Sequence, residues 1–181
     1  ARPAYVHFTS NNTIYGTQFN YLPTPPAGAH LVCDMCSDIY SRPIDVSRYA
    51  LIYASAQKNL GPAGTTVVIV RDDVIAQGRT DIPVMLQYRH FDKGESRPNT
   101  PPVFPIYCVG VMIKWILAKG GLAYFEKFNA QKAKVIYDVI DASGFYTGHA
   151  RPDSRSLMNL TFRCPTPELD DRFCTQAEKE G

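Results

Sequence analysis

The sequence predicts an α/β protein, and two observations carry this prediction. Short apolar runs, typical of buried strands, cover residues 30–33, 49–53 and 65–70, and the last of these is dense in β-branched residues. Farther along, apolar residues recur at steps of three and four over residues 104–117 and again over 122–142, which is helical spacing. Open α/β sheets bind ligands at the carboxyl ends of their strands, so the residues that follow each strand are the functional candidates.

Length and composition set the broad class. The chain has 181 residues, of which 45% are hydrophobic and 20% charged, enough apolar content for a globular core. A net charge of +2 gives no reason to expect a nucleic acid or an acidic membrane as a partner. The apolar runs are short and broken, so no transmembrane span is predicted. Five cysteines, an odd number without regular spacing, suggest no disulfide framework, and we expect a reducing cytoplasm.

Cys33 and Cys36 form a Cys-x-x-Cys motif with two interpretations. The motif could be a redox pair or half of a zinc site. No second Cys or His pair stands at zinc spacing, so the favoured interpretation is two small residues on a buried segment. We therefore predict no metal site.

Lys58 is the most unusual residue of the chain. It lies in a turn between the apolar runs 51–54 and 65–70, just before the sequence Gly61-Pro-Ala-Gly64. Lysine avoids such buried settings unless it is paired or used for chemistry. Partial desolvation favours the neutral amine, which makes Lys58 a candidate Schiff-base nucleophile. The alternative is that the side chain extends out of the turn into solvent.

Asp34 ends the preceding apolar run, His30-Leu-Val-Cys33. A carboxylate after one strand and a lysine after the next is the pairing that pyridoxal phosphate needs, because the lysine forms the imine and the carboxylate keeps the ring nitrogen protonated. Asp38 is a second carboxylate nearby, interpreted as a helix or turn cap. Arg42 could bind phosphate, or pair with a local carboxylate.

Several short motifs follow one another along the chain: Asn12-Thr-Ile-Tyr-Gly-Thr17, Asp34-Met-Cys-Ser-Asp38, Ser41-Arg-Pro-Ile-Asp-Val46, Ala56-Gln-Lys-Asn-Leu-Gly-Pro-Ala-Gly64, Asn99-Thr-Pro-Pro102 and Arg155-Ser-Leu-Met-Asn159. Each motif is weak alone, but together they span almost the whole chain. In their order and near-family spacing they resemble the motifs of the phosphoserine aminotransferases, which are fold type I pyridoxal-phosphate enzymes of the class-V aminotransferase family.

The resemblance implies a cofactor site for pyridoxal 5'-phosphate. Its residues would be Thr13, Asp34, Gln57, Lys58, Asn99 and Thr100. Lys58 would be the catalytic residue, Thr13 would contact the ring, and Gln57 would bind the phosphate. Asn99 and Thr100 would reach the phosphate of a neighbouring subunit, so the resemblance also implies a homodimer with shared active sites.

The resemblance further implies two domains. Residues 1–125 would be the C-terminal part of the cofactor-binding large domain, with a mixed sheet and flanking helices. Residues 126–181 would be a linking helix and the incomplete start of a small α+β domain. Members of the family are about twice as long as this chain, so we expect an internal fragment of about half the family length.

The implied reaction is transamination between O-phospho-L-serine and 2-oxoglutarate, giving 3-phosphooxypyruvate and L-glutamate. It belongs to L-serine biosynthesis and, in some bacteria, to pyridoxine biosynthesis. One alternative is an inactive truncated fragment or a dimerising scaffold. Another is a related small-amino-acid transaminase, which would share Asp34 and Lys58 but less readily Asn99-Thr100.

Further expectations concern secondary structure. We expect a strand at 5–8, a solvated basic loop over 78–102, a buried Trp115, a strand over 155–162 and a helix over 170–180.

Overall fold

The computed structural model describes residues 2–181 and confirms the α/β fold. The strands are β1 Tyr5–Thr9, β2 Asn11–Asn12, β3 Thr17–Gln18, β4 His30–Asp34, β5 Leu51–Ser55, β6 Thr66–Val70, β7 Thr147–Gly148 and β8 Phe162–Arg163. The helices are α1 Asp72–Gln77, α2 Tyr88–Lys93, α3 Val103–Ala118, α4 Gly121–Ser143 and α5 Pro167–Glu180.

The main sheet has four strands in the order β1-β4-β5-β6. β1, β4 and β5 run parallel, with Thr9 opposite Asp34 and Asp34 opposite Tyr53. β6 runs antiparallel to β5 and forms one edge of this sheet. The carboxyl ends of the three parallel strands therefore meet at one end of the sheet, where α/β proteins place their ligands.

The two faces of the sheet differ, because successive strand residues point to opposite sides. Leu31 and Cys33 of β4 and Ile52 and Ala54 of β5 are buried in the main hydrophobic core, which also contains Val109 of α3. The alternate residues, which face the other side, are more exposed in each parallel strand.

A second hydrophobic cluster lies on α4. Ala133, Tyr137 and Ile140 are buried there, and Leu157 and Phe162 pack against them.

The bend between α3 and α4, 83°, falls at Gly120-Gly121. Both glycines have φ in the left-handed region, +109° and +70°, which residues with a Cβ adopt at a cost. Among residues 2–181 no single helix is both long and apolar enough to cross a membrane, and α3 and α4 pass that test only as a bent pair.

The strand predicted over 155–162 is wrong, since only Phe162–Arg163 form a strand there. The Ser156 hydroxyl accepts hydrogen bonds from the backbone N–H groups of Met158, at 3.0 Å, and Asn159, at 2.9 Å. This local bonding competes with an extended ladder, as is common for serine. The alternating sequence pattern does not reveal it.

Two other expectations need correction. The 78–102 stretch is not all loop, because α2 lies within it. Trp115 is not core within this chain: it is 47% exposed, and its ring centroid lies 5.0 Å from that of Phe125. The strand at the N-terminus and the C-terminal helix are confirmed, as β1 and α5.

We predict that Ile52→Ala lowers the free energy of unfolding by about 2–5 kcal/mol, because it leaves a cavity in the main core. Ile52 is 1% exposed. Val135→Ala, at a position 65% exposed on α4, is the matched control and should change stability by about 0.5 kcal/mol or less. Urea unfolding followed by circular dichroism measures both, and similar losses in the two variants would contradict this core assignment.

Candidate active site at the carboxyl edge of the sheet

Three of the predicted site residues follow three parallel strands. Asp34 is the last residue of β4. Lys58 lies in the turn that follows β5. Thr13 lies in the turn between β2 and β3, the hairpin that follows β1. Parallel pairing therefore brings all three to the same end of the sheet.

Lys58 and Thr13 are in direct contact. The Lys58 Nζ donates a hydrogen bond of 2.7 Å to the Thr13 Oγ1. Lys58 is exposed, so the expectation of a desolvated lysine is wrong within this chain. The reason is that β6, which follows the turn, is a partly exposed edge strand and does not enclose it. The amine is consequently open to solutes, and the Thr13 hydroxyl fixes its position.

The Asp34 carboxylate is held by local backbone. Its Oδ1 accepts a hydrogen bond of 2.8 Å from the backbone N–H of Cys36. Tyr53 lies opposite Asp34 on β5, and the Tyr53 hydroxyl lies 3.1 Å from the His7 Nε2. Burial, followed by the negative charge of Asp34, raises the pKa of Tyr53. Asp34 is thus fixed at the strand end, one strand away from the turn that carries Lys58.

Asp38 is not the helix or turn cap that the sequence predicts, because its carboxylate bonds side chains of other segments. Its side chain is buried, accepts hydrogen bonds from the Ser10 hydroxyl and, at 3.1 Å, from the Gln18 Nε2, and lies 4.0 Å from the Arg42 guanidinium. Burial raises the pKa of Asp38, while these bonds and Arg42 oppose the rise. Arg42 also donates to the Phe19 carbonyl at 2.8 Å, so the local interpretation of Arg42 fits better than phosphate binding.

The cysteines of the Cys-x-x-Cys motif behave as small packing residues. Cys33 is fully buried, and burial raises its pKa to about 12. The Cys36 sulfur accepts a hydrogen bond of 3.1 Å from the backbone N–H of Ser55. Over residues 2–181 no group of three or more His, Cys, Asp or Glu side chains is arranged to hold a metal ion.

The other predicted residues are not joined to this cluster. Gln57 precedes Lys58 in the same turn and is exposed. Asn99 and Thr100 are exposed in the loop before α3, where the Asn99 Nδ2 donates to the Thr100 carbonyl at 3.4 Å. In the described part of the chain no hydrogen bond links these three side chains to Lys58, Asp34 or Thr13. Their roles stay predictions.

Sequence reasoning missed the residues that hold the Thr13 hairpin. Asn11 is buried in β2 and donates to the Ser37 Oγ at 2.9 Å and to the Asn159 Oδ1 at 2.8 Å. Its own Oδ1 accepts a hydrogen bond from the Ser156 hydroxyl. The only signal available was that one of the motifs, 155–159, had no assigned chemistry.

Fold and site together define a class: α/β proteins with a lysine and a carboxylate at neighbouring strand ends, the arrangement that pyridoxal-phosphate enzymes use. A comparison with family models identifies the family. Residues 1–179 match the model of aminotransferase class V, so the chain belongs to that family. Class-V aminotransferases use pyridoxal phosphate, and the predicted cofactor is confirmed at the level of the family.

Curated relatives are phosphoserine aminotransferases. The chain is 54% identical to that of Lysinibacillus sphaericus (strain C3-41) over 179 residues, which are 98% of this chain and 49% of the relative. It is 50% identical to that of Herpetosiphon aurantiacus over 180 residues, 99% of this chain and 50% of the relative. The chain therefore spans about half the length of the curated relatives it matches, as predicted.

Solved structures give the same match. A phosphoserine aminotransferase from Bacillus circulans subsp. alkalophilus superposes with a TM-score of 0.94 at 49% identity, covering 98% of this chain and 49% of that one. A pyridoxal-phosphate-bound phosphoserine aminotransferase from Trichomonas vaginalis superposes with a TM-score of 0.87 at 38% identity, covering 96% and 50%. The chain is thus similar in fold to about half of each of these enzymes.

We predict that Cys33 does not react with a thiol reagent in the folded chain at pH 8, because a buried thiol with a raised pKa forms little thiolate. Cys174 is exposed on α5 and should react first. Quantitation with an aromatic disulfide reagent, followed by mass mapping, gives the order of reaction, and the same chain in guanidinium shows all thiols accessible. Equal rates for Cys33 and Cys174 in the folded chain would refute the packing interpretation.

Proposed function

We propose that the full-length protein containing this chain is a phosphoserine aminotransferase. It would convert O-phospho-L-serine and 2-oxoglutarate to 3-phosphooxypyruvate and L-glutamate in L-serine biosynthesis. The observation that carries the proposal is the juxtaposition of Lys58, Thr13 and Asp34 at the carboxyl edge of three parallel strands. Identity of about half over nearly the whole chain to phosphoserine aminotransferases supports the choice of substrate.

The residues present fit pyridoxal phosphate. An exposed primary amine, which carbonyl condensation requires, is supplied by Lys58. A hydroxyl lies 2.7 Å from that amine, on Thr13. A carboxylate able to face a cationic ring nitrogen ends the neighbouring strand, at Asp34. Gln57, Asn99 and Thr100 would hold the phosphate group.

Pyridoxal phosphate and the protein have separate roles in the proposed reaction. Pyridoxal phosphate, when bound, supplies an electron sink for the bonds of the substrate α-carbon. The Lys58 Nζ would hold the group covalently, and its amine, once free, would remove the proton from the substrate α-carbon as general base. The Asp34 carboxylate keeps the ring nitrogen protonated. Thr13 orients the Lys58 amine before and after this step.

We expect sodium borohydride, added to the protein with pyridoxal phosphate, to fix one label on Lys58, because reduction traps an imine at an accessible amine. Mass mapping locates the label, and Lys58→Ala should lose both this label and the visible absorbance band. Lys119→Ala, at an exposed position between α3 and α4, is the control and should keep both.

The same preparation is then assayed with O-phospho-L-serine and 2-oxoglutarate. Turnover by the full-length protein that is abolished in Lys58→Ala supports the proposed reaction. A label spread over surface lysines, together with no turnover, would favour the inactive fragment or scaffold. Turnover of another small amino acid alone would favour the related transaminase.

We also propose a homodimer with shared sites. Several large apolar side chains of α3 are exposed within this chain: Val103, Phe104, Tyr107, Val111 and Trp115. Apolar surface of this extent is typical of an interface. Asn99 and Thr100 lie in the loop that leads into this helix, and their exposure leaves them free to reach a symmetric partner.

A mixing experiment tests the sharing. Lys58→Ala and the double variant Asn99→Ala/Thr100→Ala should each have low activity alone. If sites are shared, subunit exchange at equal amounts should restore about a quarter of native activity, because half of the dimers are mixed and each holds one intact site. Activity equal to the average of the separate variants would show that each site is built within one subunit.

The chain also contains a boundary between two domains in this proposal. We propose a division at residues 125/126, with residues 1–125 in the large domain and 126–181 in the linking helix and small domain. The separation of the two hydrophobic clusters supports it.

We propose a cytoplasmic location, supported by five cysteines that are all unpaired thiols.

A further inference from the structure

The Thr13 turn is positioned by contacts on both sides of its hairpin. On one side, the hairpin meets the loop after β4: the Asn11 Nδ2 donates to the Ser37 Oγ at 2.9 Å, and the Ser37 hydroxyl donates to the Asn11 carbonyl at 2.8 Å. That loop begins directly after Asp34, the last residue of β4. Hydrogen bonds therefore join the hairpin to the loop that follows the Asp34 carboxylate.

On the other side, the hairpin meets residues 156–161. The Asn11 side chain bonds both Ser156 and Asn159, and Ser156 is 0% exposed. The backbone N–H of Ser156 donates to the Gly16 carbonyl at 2.9 Å. These contacts link the beginning of the chain to a segment near its end.

The hairpin turn packs closely against this segment. Gly16 has φ of +62°, and a Cβ there would lie 2.5 Å from the Thr161 Oγ1 and 2.6 Å from the Asn159 carbonyl. Only glycine fits such an approach. Inside the turn, the Asn12 Oδ1 accepts from the backbone N–H groups of Ile14 and Tyr15, at 3.1 and 3.0 Å. The turn has little freedom to shift alone.

We infer that Asn11 is a positioning residue that holds Thr13 against Lys58 by joining the hairpin to Ser37 on one side and to Ser156 and Asn159 on the other. Asn11 is 2% exposed, and both polar atoms of its side chain have hydrogen-bond partners. Buried networks that are fully satisfied specify one geometry, because every alternative leaves a polar group unpaired. The inference rests on the role proposed for Lys58.

The test measures the reactivity of the Lys58 amine in protein from which the cofactor has been removed. Full-length protein is dialysed against hydroxylamine to remove carbonyl compounds and then labelled with trace acetic anhydride at fixed pH. Mass spectrometry gives the acetylation of Lys58 relative to Lys179, which is exposed on α5. Thr13→Val should raise this ratio about fivefold, the factor expected when one ordinary hydrogen bond is lost. Asn11→Ala should raise it in the same direction.

Asn129→Ala is the matched control. Asn129 is 5% exposed on α4 and donates to the Ser41 carbonyl at 3.1 Å, so its loss also removes a buried amide hydrogen bond. Asn129→Ala should lower the melting temperature as Asn11→Ala does, yet leave the Lys58 ratio at the native value. The double variant Asn11→Ala/Thr13→Val should match Thr13→Val alone, because both changes remove the same contact.

A native Lys58 ratio in Asn11→Ala or in Thr13→Val would overturn the inference. So would an equal rise in Asn129→Ala, or a double variant whose effect is the product of the single effects. Since no cofactor is present, these outcomes are independent of the borohydride experiment. Trapping on Lys58 can succeed while Asn11 proves to have only a structural role.

Discussion

Parallel pairing of β1, β4 and β5 is the constraint on which the site depends. Parallel strands end at the same side of a sheet, so the residue after each one is brought near the residues after its neighbours. No long-range electrostatic attraction between Asp34 and Lys58 is needed to bring them together. Strand pairing places both at the same end of the sheet, and the hydrophobic face formed by Leu31, Ile52 and Ala54 fixes the register of β4 and β5.

Apolar contacts stabilise separate segments of this chain, whereas polar contacts orient these segments beside the site. Two apolar clusters, one under the sheet and one on α4, stabilise their own segments. The contact between these regions beside the site is polar: Asn11 and Gln18, paired across the hairpin, bond residues 156–159 on one side and the loop after Asp34 on the other. Hydrogen bonds are directional, so such contacts fix orientation more sharply than apolar contacts do.

Local patterns predicted Asp34 and Lys58, because a strand, a turn and a second strand are visible within thirty or so residues of sequence. The exposure of Lys58 was not predictable in this way, since it depends on β6 being an edge strand. The backbone of residues 155–161 was mispredicted because a side chain, the Ser156 hydroxyl, takes the backbone N–H groups. The partners of Asn11 could not be predicted, because Asn159 lies 148 positions away.

The 148 positions that separate Asn11 from Asn159 bear on the order in which the contacts of the site form. β5, β6 and the turn between them, which carries Lys58, can pair early, since few residues separate the two strands and the entropy of closing a short loop is small. The Thr13 hairpin is bonded to residues 156–159, which lie far along the chain, so we expect it to reach its final position late in folding. A contact of such range can form only after the entropy of closing a long loop has been paid. We therefore expect the turn that carries Lys58 to form before Thr13 is held beside it, so that the Lys58–Thr13 contact is completed late in folding.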